Sequence, residues 1–147
     1  MPATPTIYLA LVDDHKLFRE GITSLIEMVC NHCSILFEAG NGIELQKKLH
    51  KDHQPDIILM DITMPGMDGY ASMKWLHENF PLIKVLVVTM VEQEESVVRM
   101  LRLGATGYLA KDVEPAELKE ALSSIMTKGY YYSNFINGKS VRSILNK

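Results

Sequence analysis

Ile57-Ile58-Leu59-Met60-Asp61 is a short apolar run that ends in a single acid, and a stretch dense in turn formers, Ile62-Thr63-Met64-Pro65-Gly66-Met67-Asp68-Gly69, follows it directly. A continuous apolar run bounded by Pro and Gly reads as a strand buried on both faces, the kind a parallel sheet uses. Asp61 therefore stands where a central strand leaves the sheet. In open α/β sheets that carboxyl edge is where ligands bind.

The rest of the chain supplies the partners such a strand needs. Ile7 to Val12 reads as a strand ending in Asp13-Asp14, and helical spacing follows through Leu17, Phe18, Ile22, Leu25, Ile26 and Val29, with Asp14 placed as the cap. Cys33 to Phe37 reads as a second strand, and Asn41 caps a short helix that carries Leu45 and Leu49. Asp68-Gly69 opens a helix with Met73, Trp75 and Leu76, and Val85 to Val88 is a fourth strand ending in Thr89. Glu92 to Leu103 is helical with an acidic first turn, and Gly104 stops it as a C-terminal cap. Gly107 to Ala110 is a brief fifth strand ending in Lys111, and Glu114-Pro115 opens a last helix with Leu118, Leu122, Ile125 and Met126 as its inner stripe.

Strand and helix alternating in this way predict an α/β, flavodoxin-like three-layer sandwich: a parallel five-stranded sheet of order 2-1-3-4-5, covered by helices on both faces. The expected organisation is a disordered N-terminus over 1–6, one domain over 7–128, and a linker or stub over 129–147. In that last stretch the pattern lapses into Gly129, Tyr130-Tyr131-Tyr132 and a basic end.

Composition narrows the function classes. A 147-residue chain that is 47% hydrophobic and 22% charged is that of a soluble globular domain. A net charge of −3 advertises no broad nucleic-acid surface. No apolar run approaches the roughly 20 residues of a membrane span, and the N-terminus lacks a signal-peptide core. The expected location is the cytoplasm, with no membrane partner. Cys30 and Cys33 form a CxxC, but no second Cys/His pair completes a zinc site, and the pair follows a helix instead of opening one. They are read as two small apolar residues.

In the predicted strand order, strands one and three are neighbours at the switch point, so Asp13, Asp14 and Asp61 converge in one cleft. Three carboxylates that close repel unless a cation joins them, and Mg²⁺ is commonly held by one or two carboxylates with waters and a phosphate oxygen. Thr89 adds a hydroxyl and Lys111 a positive charge from the outer strands. An acid nucleophile, a metal, a hydroxyl and a lysine are the parts for phosphoryl transfer through an aspartyl phosphate. Singly, each has a plain structural role: Asp14 as a helix cap, Asp13 as a solvated loop acid, Thr89 as a strand terminus, Lys111 as a surface ion-pair partner.

The chain resembles the receiver domain of two-component response regulators, in the LuxR/NarL/FixJ-type branch. The resemblance rests on Val12-Asp13-Asp14-His15 with Phe18-Arg19-Glu20-Gly21, on Met60-Asp61 through Gly69, on Leu86-Val87-Val88-Thr89-Met90, and on Gly104 through Asp112, and it covers residues 6–128. It implies that Asp61 accepts a phosphoryl group from a sensor histidine kinase, with Mg²⁺ held by Asp13, Asp14, Asp61 and the backbone carbonyl of Thr63. It further implies that Thr89 and Lys111 bind the phosphoryl oxygens and that the Tyr108 rotamer follows Thr89. The implied protein is a switch and not an enzyme with a separate substrate. Its output would be altered self-association as a homodimer, or contact with a helix-turn-helix DNA-binding module, for which 129–147 is too short. A free-standing or phosphorylation-independent receiver is the alternative.

Three features mark this sequence. Asp112 follows Lys111 where many receivers carry Pro, so the cis peptide common there is not expected. Met90 stands where the wider family often has a small residue, and Val91 where the branch often has His or Tyr, a position that bears on access to the phosphoryl group and its lifetime. A haloacid-dehalogenase-like phosphatase also uses a strand-end Asp, but needs a second acid where Thr63 stands. A flavin module of this topology needs a Ser/Thr/Gly-rich first loop, where Asp13-Asp14 would repel phosphate.

Overall fold

A computed structural model describes residues 4–90, 93–132, 135–136 and 139–140. Strands are β1 (Ile7–Val12), β2 (Cys33–Ala39), β3 (Ile57–Met60), β4 (Lys84–Thr89), β5 (Gly107–Ala110), β6 (Tyr131–Tyr132), β7 (Phe135–Ile136) and β8 (Lys139–Ser140). Helices are α1 (Lys16–Val29), α2 (Gly42–Lys48), α3 (Gly69–Asn79), α4 (Glu94–Arg102) and α5 (Pro115–Lys128). The main sheet is parallel throughout, in the order β2-β1-β3-β4-β5-β6. The expected order is therefore found, with one strand more at the β5 edge.

The period-two alternation of a strand divides the core into two layers. Leu9, Leu11, Ile57, Leu59, Leu86, Val88 and Leu109 face one way, where α1 brings Ile22 and Ile26 and α5 brings Leu118, Leu122 and Ile125. Ala10, Val12, Ile58, Met60, Val85 and Val87 face the other way, against Leu45 of α2, Met73 and Leu76 of α3, and Val97, Met100 and Leu101 of α4. All four residues of β3 are buried, as a central strand covered on both faces requires. Each large aliphatic side chain so enclosed contributes about 1.5–3 kcal/mol over an exposed one, so the central strands are the rigid part of the molecule. No helix among the described residues is long and apolar enough to cross a membrane.

Several local expectations hold. Asn41 and Asp68 cap α2 and α3 by accepting from the backbone N–H groups of Glu44 and Ala71. Gly104 follows α4 with a φ of 119°, Pro115 opens α5, and no peptide bond among the described residues is cis.

Others are corrected. Asp14 does not cap α1: His15 holds that position, with no side-chain cap, and Asp14 is free to face the cleft. Leu17 is 83% exposed and Met126 42% exposed, so neither belongs to an inner stripe. Cys30 and Cys33 are not two independent apolar residues but a disulfide, with Cα atoms 5.6 Å apart. The cause is the tight reversal at Asn31-His32, which carries the chain from the end of α1 straight into β2. Val91 lies outside the described residues, as does most of the 129–147 stretch.

The part of that stretch that is described is structured. Gly129 leaves α5 with a φ of 90°, and β6 then pairs with β5 in the register Gly107↔Tyr131 and Tyr108↔Tyr132. A Cβ at Gly107 would stand 2.5 Å from the Tyr131 carbonyl oxygen, so only glycine admits the added strand there. The Tyr131 hydroxyl donates to Glu117 Oε1 at 3.2 Å, and burial together with the Glu117 charge pushes its pKa up to about 12. The folded chain thus holds a proton that the unfolded chain releases near pH 10, and this contribution to stability falls as pH rises from about 10 to about 12. In chemical denaturation from pH 8 to 11.5, Tyr131→Phe is expected to lose less stability above pH 10 than the wild type. Parallel pH profiles would contradict the assignment.

Candidate functional site

The carboxyl edge of β1, β3, β4 and β5 gathers the polar residues that end those strands. Those that follow β1, β3 and β5 are each fixed by a ladder bond one step beyond the strand. Asp13 N donates to Ala39 O at 2.9 Å, Asp61 N to Val12 O at 3.0 Å, and Lys111 N to Thr89 O at 3.2 Å. Gly69 N donates to Ile62 O at 2.7 Å, which draws the start of α3 up under the Asp61 loop. A Cβ on Gly69 would lie 2.5 Å from Asp61 O and 2.7 Å from Ile62 Cα, so no larger residue permits that approach. Backbone rigidity from the two-layer core is thereby passed to the side chains.

At the centre stands Lys111. Its ammonium Nζ lies 2.8 Å from Asp13 Oδ2 and 3.1 Å from Asp61 Oδ2, and its side chain is 6% exposed. Burial works against the charge on Lys111, but the Asp13 and Asp61 carboxylates outweigh it and hold its pKa above the ordinary lysine value. The Phe18 ring of α1 lies under the ammonium, 4.5 Å from centroid to Nζ. Asp61 Oδ1 accepts from the backbone N–H of Ile62 at 2.7 Å, which fixes the carboxylate plane. Beyond the Lys111 ion pair, Asp13 Oδ2 makes no hydrogen bond although it is buried.

Asp13, Asp14, His15 and Asp61 each offer a ligand atom, and these atoms lie within 4.8 Å of one another. Three formal negative charges against the single positive charge of Lys111 leave two unbalanced. At an effective dielectric of about 20, two carboxylates 4.8 Å apart repel by about 3 kcal/mol. A buried carboxylate oxygen with no partner beyond the Lys111 ammonium and a twofold charge deficit suit a divalent cation, and these residues could hold a metal ion.

The structure brings Asp13, Asp14, Asp61 and Lys111 together as expected. Thr89 ends β4 and is 1% exposed, and Thr63 lies exposed in the loop after Asp61. Tyr108 is already 8% exposed and packed in the α2/α3/α4 layer, so its ring does not start from an outward position. Three neighbours carried no role in the sequence reading. The His15 backbone N–H donates to Asp13 Oδ1 at 2.8 Å, and its Nδ1 lies 3.1 Å from the same oxygen and 3.3 Å from Lys111 Nζ. Phe18 stands in the helix stripe and in the motif that carries the resemblance, with no site role expected of it. Arg19 donates to the Asp13 carbonyl oxygen and pairs with Glu38 at 3.0 Å, bracing the loop from behind. The signal for them is their place after two adjacent acids, His15 directly and Phe18 and Arg19 about one helical turn on.

The response regulator receiver domain family matches residues 9–123. The chain belongs to that family. The receiver is 40% identical over 124 residues to the nitrate/nitrite response regulator protein NarL of Escherichia coli (strain K12), a match covering 82% of this chain and 53% of NarL. It is 35% identical over 127 residues to the transcriptional regulatory protein DegU of Brevibacillus brevis, covering 85% of this chain and 52% of DegU. Among solved structures, a LuxR-family two-component response regulator from Aurantimonas sp. SI85-9A1 superposes with a TM-score of 0.82 at 28% identity, covering 97% of this chain and 99% of that one. These matches place the receiver in the NarL/LuxR-type branch. It spans about half the length of curated relatives such as NarL and DegU.

Lys111→Met leaves Asp13 and Asp61 facing each other without their shared ammonium. The expected result without divalent cations is a loss of about 3 kcal/mol in chemical denaturation. With Mg²⁺ added, the variant should regain more stability than the wild type, because the cation no longer competes with the ammonium. Equal Mg²⁺ responses would show that lysine and metal do not share the carboxylates.

Proposed function

We propose that this receiver is the phosphoryl-accepting switch of a two-component pathway working in the cytoplasm. A sensor histidine kinase donates the phosphoryl group, and an Asp61 carboxylate oxygen attacks its phosphorus as the bond to the histidine nitrogen breaks. Mg²⁺, held by Asp13, Asp14, Asp61 and the Thr63 carbonyl, would supply charge neutralisation for the transferring group. The observation that carries this reading is the buried Lys111 ammonium shared between Asp13 and Asp61, beside an acid cluster two charges short of neutrality. Lys111 can move its contact from a carboxylate oxygen to a phosphoryl oxygen without leaving the pocket, and the Thr89 hydroxyl donates to another. The protein acts on no separate substrate.

Phosphorylation would add about −1.5 to −2 charges at Asp61. Thr89 then moves toward the phosphoryl oxygens, and the packing of Tyr108, one strand over in the pairing Val87↔Tyr108, readjusts with it. The changed face comprises α4, β5 and α5, and the output is self-association or altered contact with a DNA-binding module C-terminal to this receiver.

Intact mass after incubation with acetyl phosphate and Mg²⁺ is expected to show one added phosphoryl group on the wild type and none on Asp61→Asn. Chelation of Mg²⁺ should suppress the addition. Phosphorylation of Asp61→Asn to the wild-type extent would overturn the assignment.

A further inference from the structure

At the opposite end of the sheet, α1 ends at Val29, Cys30 is its C-cap, and Cys33 begins β2. We propose that Cys30 and Cys33 form a reversible thiol–disulfide switch whose oxidant is a small-molecule disulfide of the glutathione class. The fold itself, without the bond, holds the two residues in place. Cys30 N donates to Ile26 O at 2.9 Å, Ile7 N donates to His32 O at 2.8 Å, and Cys33 is in register with Ile7 across β1 and β2. None of these bonds involves a sulfur, and the Cα atoms they position stand 5.6 Å apart, inside the range that a disulfide needs. A bond that closes so short a loop constrains the unfolded chain less than one closing a long loop, which favours opening and closing with the domain folded.

Access and chemistry differ between the two sulfurs. Cys33 is half-buried, whereas Cys30 is 8% exposed and lines a cavity of about 490 Å³ between the start of β1, the end of α1 and α5. His32 lies between them, with Nδ1 3.8 Å from Cys30 Sγ, where that nitrogen can donate to a Cys30 thiolate. The Cys33 thiolate attacks the small disulfide RSSR, forming Cys33–S–S–R and expelling RS⁻. The Cys30 thiolate then attacks Cys33 Sγ, forming the internal disulfide and expelling the second RS⁻. The two thiol protons pass to the two RS⁻ leaving groups, so two RSH form for each RSSR consumed. In a reducing compartment a pair of this kind resides as the dithiol and responds to oxidant, which is the use that such compartments make of disulfides. What changes is the side-chain packing of Cys30 at the end of α1, on the wall of the cavity that it shares with Leu122 and Met126 of α5.

The test is equilibration of the whole chain in glutathione buffers of graded poise, followed by acid quench, thiol alkylation and intact mass. The expected result is a reversible transition between a doubly alkylated form and a form lighter by two hydrogens that takes no alkyl group, with unchanged far-UV circular dichroism across it. Cys30→Ser should accumulate a glutathione adduct on Cys33, and Cys33→Ser should accumulate far less on the enclosed Cys30. Persistence of the dithiol in oxidised glutathione, or reduction of the disulfide only in denaturant, would overturn the proposal. Equal adduct yields in the two variants would overturn the assigned order of attack.

Discussion

One ammonium group shared between two buried carboxylates organises the functional edge of this receiver. Lys111 is 2.8 Å from Asp13 and 3.1 Å from Asp61, on side chains that are nearly enclosed. Removed from water, each charge would cost several kcal/mol alone. Together they form an arrangement that is bound but incomplete, since among the described residues Asp13 Oδ2 has no partner beyond the Lys111 ammonium and the acids exceed the cation by two formal charges. An arrangement with that deficit could hold added positive charge, and in the proposed reaction a cation that enters would leave the lysine free to meet an incoming anion.

The sheet makes this arrangement sharp. β1, β3, β4 and β5 are parallel neighbours with their side chains alternating between two packed layers, so the residue after each strand leaves the sheet at the same edge. The same topology gives a route outward. Thr89 ends β4, Tyr108 pairs with Val87 of β4 on one side and with Tyr132 of β6 on the other. Thr89 itself is in register with Ala110, two residues beyond Tyr108, so a displacement at Thr89 would reach β6 by way of β5.

Much of this was legible in the residues. Runs such as Val85 to Val88 and Ile57 to Met60, each followed by a polar residue, fix strand direction and the edge at which Asp61 and Thr89 emerge. What was not legible depended on contacts that spacing cannot show. Leu17 has the right period for the α1 stripe but faces solvent, because the helix turns toward the sheet only from Phe18 and Ile22 onward. Asp14 fits a cap by type, yet the helix starts one residue later and leaves its carboxylate to the cleft. Cys30–Cys33 bonding follows from the tightness of the α1–β2 reversal, a distance that no composition argument supplies. Tyr131-Tyr132 looked like linker because a two-residue strand has no period, and its place is set by Gly107 and Glu117 in distant parts of the chain.

The central claim is that charge entering the Asp13–Asp14–Asp61 cluster is relayed through Lys111 and Thr89 to Tyr108 and the far edge of the sheet. Amide NMR spectra of the receiver alone, with Mg²⁺, and with Mg²⁺ and beryllofluoride test it most directly. The account predicts that Mg²⁺ shifts the amides around 13–15 and 61–63, and that beryllofluoride extends the shifts to Thr89, Lys111, Tyr108, α4 and Tyr132. Shifts that stay confined to the loops around Asp61, with Tyr108 and α4 unchanged, would contradict it.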